Sequence, residues 1–302
     1  MNKKVLLVSA ILSIFVFLGI NMLFSYFTDS WYDIEIAKRP EVLTASVSQG
    51  FLENQLQDLK DTRQRAMEIK NAGVDSRAII SVQISRDGGE RVLLSYNSQD
   101  RVAIASLTKL MTALVVFDNY DLDASIEITQ KAVDREGNGH LAVGQKVSVN
   151  DLLNTMLIES NNDAGHALTE LIGFEAFVDL MNLTAQKIGL ENTYYVNPTG
   201  LEPDDPEAVK NYSTAEDLVK LTKYILEKRP EIFEITTNPD GNTNKLLAKY
   251  PGIIGGKTGY SPAAGECLLV VLKNGTKLYI NVILGTQNRF AEMSKIIDII
   301  YE

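Results

Sequence analysis

The chain has 302 residues, 45% of them apolar, and a net charge of −10, so it can bury a sizeable core but lacks the clustered basic charge that nucleic-acid phosphates require. Its single cysteine, Cys267, excludes an intrachain disulfide, and its two isolated histidines, His140 and His166, give no metal-ligand spacing. No metal, cofactor or nucleic-acid partner is therefore expected.

Residues 1–4 carry Lys3 and Lys4, and residues 5–24 are uncharged and mostly Val, Leu, Ile, Phe and Ala. Such a run is long enough to cross the roughly 30 Å hydrocarbon core of a bilayer as a helix. Asp29, Asp33 and Glu35 follow it, so the positive-inside rule puts the short tail in the cytoplasm and the remainder outside. Tyr26, Trp31 and Tyr32 suit the outer interface. A cleaved signal peptide is the competing reading, but no small-x-small site closely follows the apolar run. The expectation is an uncleaved anchor in the bacterial cell membrane.

Residues 25–76 read as a juxtamembrane linker and stalk. Phe51 to Ala72 has no Pro or Gly and reads as a helix. Its apolar stripe, Leu52, Leu56 and Leu59, is cut short by Arg63, which fits a spacer or a short self-associating helix. Gly73 ends it.

Residues 77–302 read as the folded domain. Ala78–Ile84 and Glu90–Tyr96 read as paired strands around Asp87-Gly88-Gly89. Helices are expected over Ser106–Phe117, Val149–Glu159, Asn162–Ile172, Phe174–Ile188 and Thr214–Glu227. Gly265–Leu272 and Lys277–Leu284 read as a hairpin through Asn274-Gly275, with Cys267 as a buried apolar residue in the first strand. Ala291–Tyr301 closes the chain as a helix. Strands at both ends and helices between them predict an α+β fold, an antiparallel β-sheet flanked by helices.

Three motifs carry the chemistry: Ser106-Leu107-Thr108-Lys109, Ser160-Asn161-Asn162 and Lys257-Thr258-Gly259. Each alone is common, and together in this order they are specific. A serine hydroxyl needs a neighbouring base, and Lys109 lies one helical turn from Ser106. A lysine base must be neutral part of the time, which burial or a second cation such as Lys257 can bring about. The blander readings are a capping role for Ser106, a turn role for Ser160 and a solvated strand end for Lys257. Neither histidine has a G-x-S-x-G partner, so a Ser-His-Asp arrangement is not expected.

At these residues the chain resembles the D-alanyl-D-alanine carboxypeptidases, the low-molecular-mass penicillin-binding proteins. The likeness covers roughly residues 77–290. It includes Ala105–Leu114, Ser160–Ala164, Asn197-Pro198-Thr199-Gly200-Leu201, Tyr212-Ser213-Thr214-Ala215 and Gly256–Tyr260 with Ala263-Ala264-Gly265. The resemblance implies a β-lactamase/transpeptidase-like fold with a mostly helical subdomain. It implies a serine-type hydrolase trimming D-alanine from peptidoglycan stem peptides, with β-lactams as covalent inhibitors. By position, Ser106 would be the nucleophile, Lys109 its base, Ser160 a proton relay and Asn162 a holder of the substrate amide. Lys257 and Thr258 would bind the terminal carboxylate. The N–H groups of Ser106 and Tyr260, the latter just after Gly259, would form the oxyanion hole. Arg289 resembles a later family arginine, with the spacing shortened.

Asn161 stands where the family usually has Gly, a change expected to matter little. Many relatives carry a C-terminal β-domain and amphipathic anchor; here the N-terminal helix is expected to take over that anchoring. Endopeptidase activity shares the same residues. A β-lactamase would need a water-activating glutamate, for which Glu207 with Asn211 is the only weak candidate. A non-catalytic peptidoglycan-binding protein is opposed by the intact motifs.

Overall fold

The computed structural model describes residues 49–301 apart from 87, 134–138 and 206. The expected tail, the anchor over 5–24 and the linker up to residue 48 lie outside the described residues. Among the described residues no helix is long and apolar enough to cross a membrane. The chain divides into two units, 1–60 and 61–302.

Helix α1, Gln49–Asn71, ends at Gly73, whose φ of +60° suits a residue without a Cβ. Its last turns belong to the second unit. Ile69 is fully buried there, and Arg65 Nη1 donates to Tyr279 Oη at 3.2 Å. The packed unit thus begins upstream of the expected boundary at residue 77, because Ile69 completes an apolar cluster with Ile79, Tyr279 and Met293.

Strands β1 (Ala78–Ile84) and β2 (Glu90–Tyr96) pair as an antiparallel hairpin. After β3 (Val102–Ala103) the chain makes a 3₁₀ turn, Ala105–Thr108, which leads into α2, Lys109–Asn119. The helix expected from Ser106 is therefore split, and Ser106 caps neither piece. The tighter turn begins at Ala105, whose φ of +45° swings the chain into it. Next come β4 (Ser125–Glu127), α3 (Gln130–Val133), β5 (Lys146–Ser148) and α4 (Val149–Ile158). Helix α5 spans only Asn162–Ala167. It stops short of Ile172 because both the Thr169 N–H and its hydroxyl turn back to the His166 carbonyl.

Helix α6 (Phe174–Lys187), β6 (Tyr212–Ser213), α7 (Ala215–Lys228) and α8 (Glu231–Thr236) complete the middle of the chain. Strands β7 (Ile253–Ser261), β8 (Gly265–Asn274) and β9 (Lys277–Thr286) and helix α9 (Arg289–Tyr301) end it. The β8–β9 turn lies one residue later than expected, at Gly275-Thr276, with Asn274 opposite Lys277. Gly275 takes φ +60° at the first turn position, as a two-residue hairpin demands.

The five-stranded sheet runs β2-β1-β9-β8-β7, with every neighbour antiparallel. Alternation sends Cys267, Leu269 and Val271 of β8 to one face and Leu268, Val270 and Leu272 to the other. Both faces are covered, so β8 is a continuous apolar run. Helix α9 and the end of α1 cover one face. Helix α7 and the helical subdomain built around α2 cover the other. The expected antiparallel α+β architecture is what forms. Strand β7 closes the sheet edge and lies against the 3₁₀ turn that carries Ser106.

Candidate active site

Ser106 sits in the 3₁₀ turn and Lys109 at the start of α2, so the two side chains leave the same short segment. Lys109 Nζ lies 2.9 Å from Ser106 Oγ, 2.7 Å from Asn162 Oδ1 and 3.1 Å from the Thr199 carbonyl oxygen. Asn162 Oδ1 and the Thr199 oxygen can only accept, whereas the Ser106 hydroxyl can also donate. A neutral amine has two N–H donors and one lone pair, so this set of partners suits a base facing Ser106. Lys109 is completely buried. Desolvation, and then the charge of Lys257, hold its pKa well below the usual lysine value.

Lys257, Thr258 and Gly259 lie on β7. A Cβ on Gly259 would stand 2.9 Å from the Ile104 carbonyl oxygen and 3.2 Å from the Ser106 nitrogen. Only a glycine lets the strand pass this closely to the Ser106 turn. Lys257 is 1% exposed, and burial together with the Arg289 charge lowers its pKa to about 7. It does not reach the cavity wall. Thr258 does, with its hydroxyl 2.6 Å from that of Thr243. Tyr260 is 65% exposed at the rim. Arg289, at the start of α9, donates from Nη1 to the Gly259 carbonyl at 2.6 Å and lines the same cavity. The arginine is thus part of the cleft.

Ser160 and Asn162 bracket Asn161 at the α4–α5 junction, where Ser160 adopts φ +61°. Asn161 accepts the Ala164 N–H at 2.9 Å and so caps α5. Its amide nitrogen also lies 3.1 Å from His140 Nδ1. The side chain expected to be idle therefore makes two contacts.

The cavity has a volume of about 1000 Å³ and is lined by Ser106, Ser160, Asn162, Thr258 and Arg289 among others. It brings together every predicted site residue except the two buried lysines, which stand behind its wall. Sequence reasoning assigned no role to Thr243, nor to the loop that supplies the Thr199 carbonyl. That loop is held by two outside side chains and one bond of its own. Thr112 Oγ1 donates to the Pro198 carbonyl at 2.6 Å, Asn211 Oδ1 accepts the Val196 N–H at 2.8 Å, and Asn197 Oδ1 accepts the Gly200 N–H at 2.7 Å. A Cβ on Gly200, at φ +82°, would stand 1.9 Å from the Ala105 carbonyl oxygen. The Asn-Pro-Thr-Gly turn signal was visible, but its use as a lysine ligand is a tertiary fact. Asn211 is thus a loop clamp, and exposed Glu207 lies outside the wall of this cavity. The pair gives no support to a β-lactamase reading.

Residues 66–288 match the family described as D-alanyl-D-alanine carboxypeptidase. The D-alanyl-D-alanine carboxypeptidase DacF of Bacillus subtilis is 34% identical over 266 residues, which are 80% of this chain and 64% of that protein. A D-alanyl-D-alanine endopeptidase of Pseudomonas aeruginosa is 32% identical over 68% of this chain and 72% of its own length. A penicillin-binding protein of Listeria monocytogenes, solved in its cefotaxime-bound form, superposes with a TM-score of 0.66 at 29% identity. That match covers 75% of this chain and 97% of the other.

Proposed function

The chain belongs to the D-alanyl-D-alanine carboxypeptidase family, and from that premise we propose that it is a serine peptidase removing the terminal D-alanine of peptidoglycan stem peptides. The observation that carries this reading is the contact of buried Lys109 with Ser106 on the wall of an open cavity. Neutral Lys109 takes the Ser106 proton as Oγ attacks the carbonyl carbon of the penultimate residue. The oxyanion forms beside the N–H groups of Ser106 and Tyr260. The C–N bond then breaks, and the leaving amine receives a proton through Lys109 and Ser160. Water hydrolyses the Ser106 ester, returning the serine and the shortened peptide. Asn162 holds the substrate amide. Thr258 and Arg289 meet the terminal carboxylate, with Lys257 of β7 adding positive potential from behind the cavity wall.

The same Ser106 would be acylated by β-lactams, as the cefotaxime-bound relative suggests. Residues 5–24 anchor the chain in the bacterial cell membrane with the catalytic unit outside; the support is the uncharged run after Lys3 and Lys4. Release of free D-alanine from a synthetic stem pentapeptide tests the activity. No release, with no labelling by a fluorescent penicillin, would leave a non-catalytic binding protein. The 32% identity to an endopeptidase favours one second reading, cleavage of crosslinked stem peptides, which a crosslinked dimer substrate tests directly. Intact N-terminal sequence in a carbonate-washed membrane fraction tests the anchor.

A further inference from the structure

Asn161 sits between two residues of the proposed machinery, and its side chain is 1% exposed. Its Oδ1 is already occupied by the Ala164 N–H, so its Nδ2 is the group facing His140 Nδ1 at 3.1 Å. A donor facing that ring nitrogen requires Nδ1 to accept, which leaves the imidazole proton on Nε2. Nε2 in turn lies 3.6 Å from Glu159 Oε2. That distance is beyond hydrogen-bond reach, so the Asn161 contact is what ties the His140 side chain to the α4–α5 junction. The loop of His140 is fixed a second time: the Leu141 N–H donates to Asp163 Oδ2 at 3.2 Å. The contact adjoins a strained junction, since Ser160 adopts a left-handed φ of +61° without being glycine and the structure around it must hold that conformation.

We propose that His140 is a positioning residue for the reaction: by accepting from Asn161 it keeps Ser160 and Asn162 in register with Ser106 and Lys109. This inference rests on the serine-peptidase reading above. His140 does not line the cavity, so it acts only through Asn161. Its loss should slow formation of the acyl-enzyme while leaving Ser106 as the acylated residue. A lost hydrogen bond and a sub-ångström shift of the junction together correspond to a reduction on the order of tenfold.

The test is the acylation rate of the full chain by a fluorescent penicillin, alongside D-alanine release. His140→Ala should lower both the acylation rate and kcat by about that factor with little change in KM. His140→Gln, whose side-chain oxygen can accept from Asn161, should restore most of the rate. Asn161→Ser keeps an oxygen to cap α5 but is too short to reach His140, so it should match His140→Ala. The Asn161→Ser/His140→Ala double variant should be no slower than either single one. A His140→Ala protein acylated at the wild-type rate overturns the proposal, as does failure of His140→Gln to restore it, or additive losses in the double variant. Wild-type chain that is not acylated at Ser106 at all would instead overturn the serine-peptidase reading, so the two failures are distinguishable.

Discussion

Lys257 bears on Lys109 from within the same core: both ammonium groups are buried, and the charge of Lys257 adds to desolvation in lowering the pKa of Lys109. The two lysines are needed in opposite states. Lys109 must be neutral to accept the Ser106 proton, while Lys257 must be charged to add positive potential at the carboxylate site. The free-enzyme profile of kcat/KM should therefore be bell-shaped, rising with pH as Lys109 loses its proton and falling above about pH 7 as Lys257 loses its own. Lys257→Gln removes a repelling charge, so the Lys109 pKa rises and the ascending limb moves to higher pH. Lys109→Arg keeps the charge but cannot deprotonate in this range, and acylation should fall by about 10²–10⁴-fold. A pH–rate series on the three proteins checks all of this.

Arg289 touches the site in two ways. It lines the cavity, and it depresses the Lys257 pKa. Arg289→Gln should raise KM for a peptide with a free terminal carboxylate by about ten- to a hundredfold, the range for a hydrogen bond to a charged group. It should also move the descending limb of the pH profile upward, because Lys257 then holds its proton longer. A substrate amidated at its C-terminus should show little of the KM effect.

Gly200→Ala should be damaging despite its size. The added methyl would meet the Ala105 carbonyl at the turn that carries Ser106, and φ +82° disfavours any Cβ. Strain of this kind costs about 1–3 kcal/mol or more, and relief requires moving either the loop that carries the Thr199 carbonyl or the Ala105 turn that carries Ser106, each of which disturbs the contacts of Lys109. Urea unfolding and acylation rate should therefore fall together.

Ile69→Ala should destabilise the catalytic unit by about 2–5 kcal/mol, although it lies outside the sequence segment that carries the motifs. Starting the chain at Arg77 should cost at least as much, since the end of α1 covers Tyr279, Ile79 and Met293. Thermal denaturation of chains starting at Asp61 and at Arg77 checks this.

The parts of the fold legible in the sequence were those with strong local signals. The β8–β9 hairpin and α7 fall within a residue or two of expectation because continuous apolar runs, a turn glycine and the Thr214 cap mark them. The short strands and α8 have too few residues to show a period, and glycines dilute the signal of β7. Ser106, Ser160, Asn162, Thr258 and Gly259, drawn from three motifs far apart in the chain, line one cavity. The Thr199 carbonyl, Thr243 and the His140–Asn161 contact were hidden because backbone acceptors and loop packing leave no composition signal. The end of α1 read as stalk because one buried isoleucine in a polar helix makes no stripe.

The central claim is an acyl-ester on Ser106 formed with Lys109 as base, and the most direct measurement is the intact and peptide mass of the protein after reaction with a penicillin. The expected result is one adduct per chain on the peptide containing Ser106, absent in Ser106→Ala together with D-alanine release. An adduct retained by Ser106→Ala at the wild-type rate, or mapped to another residue, would contradict the account.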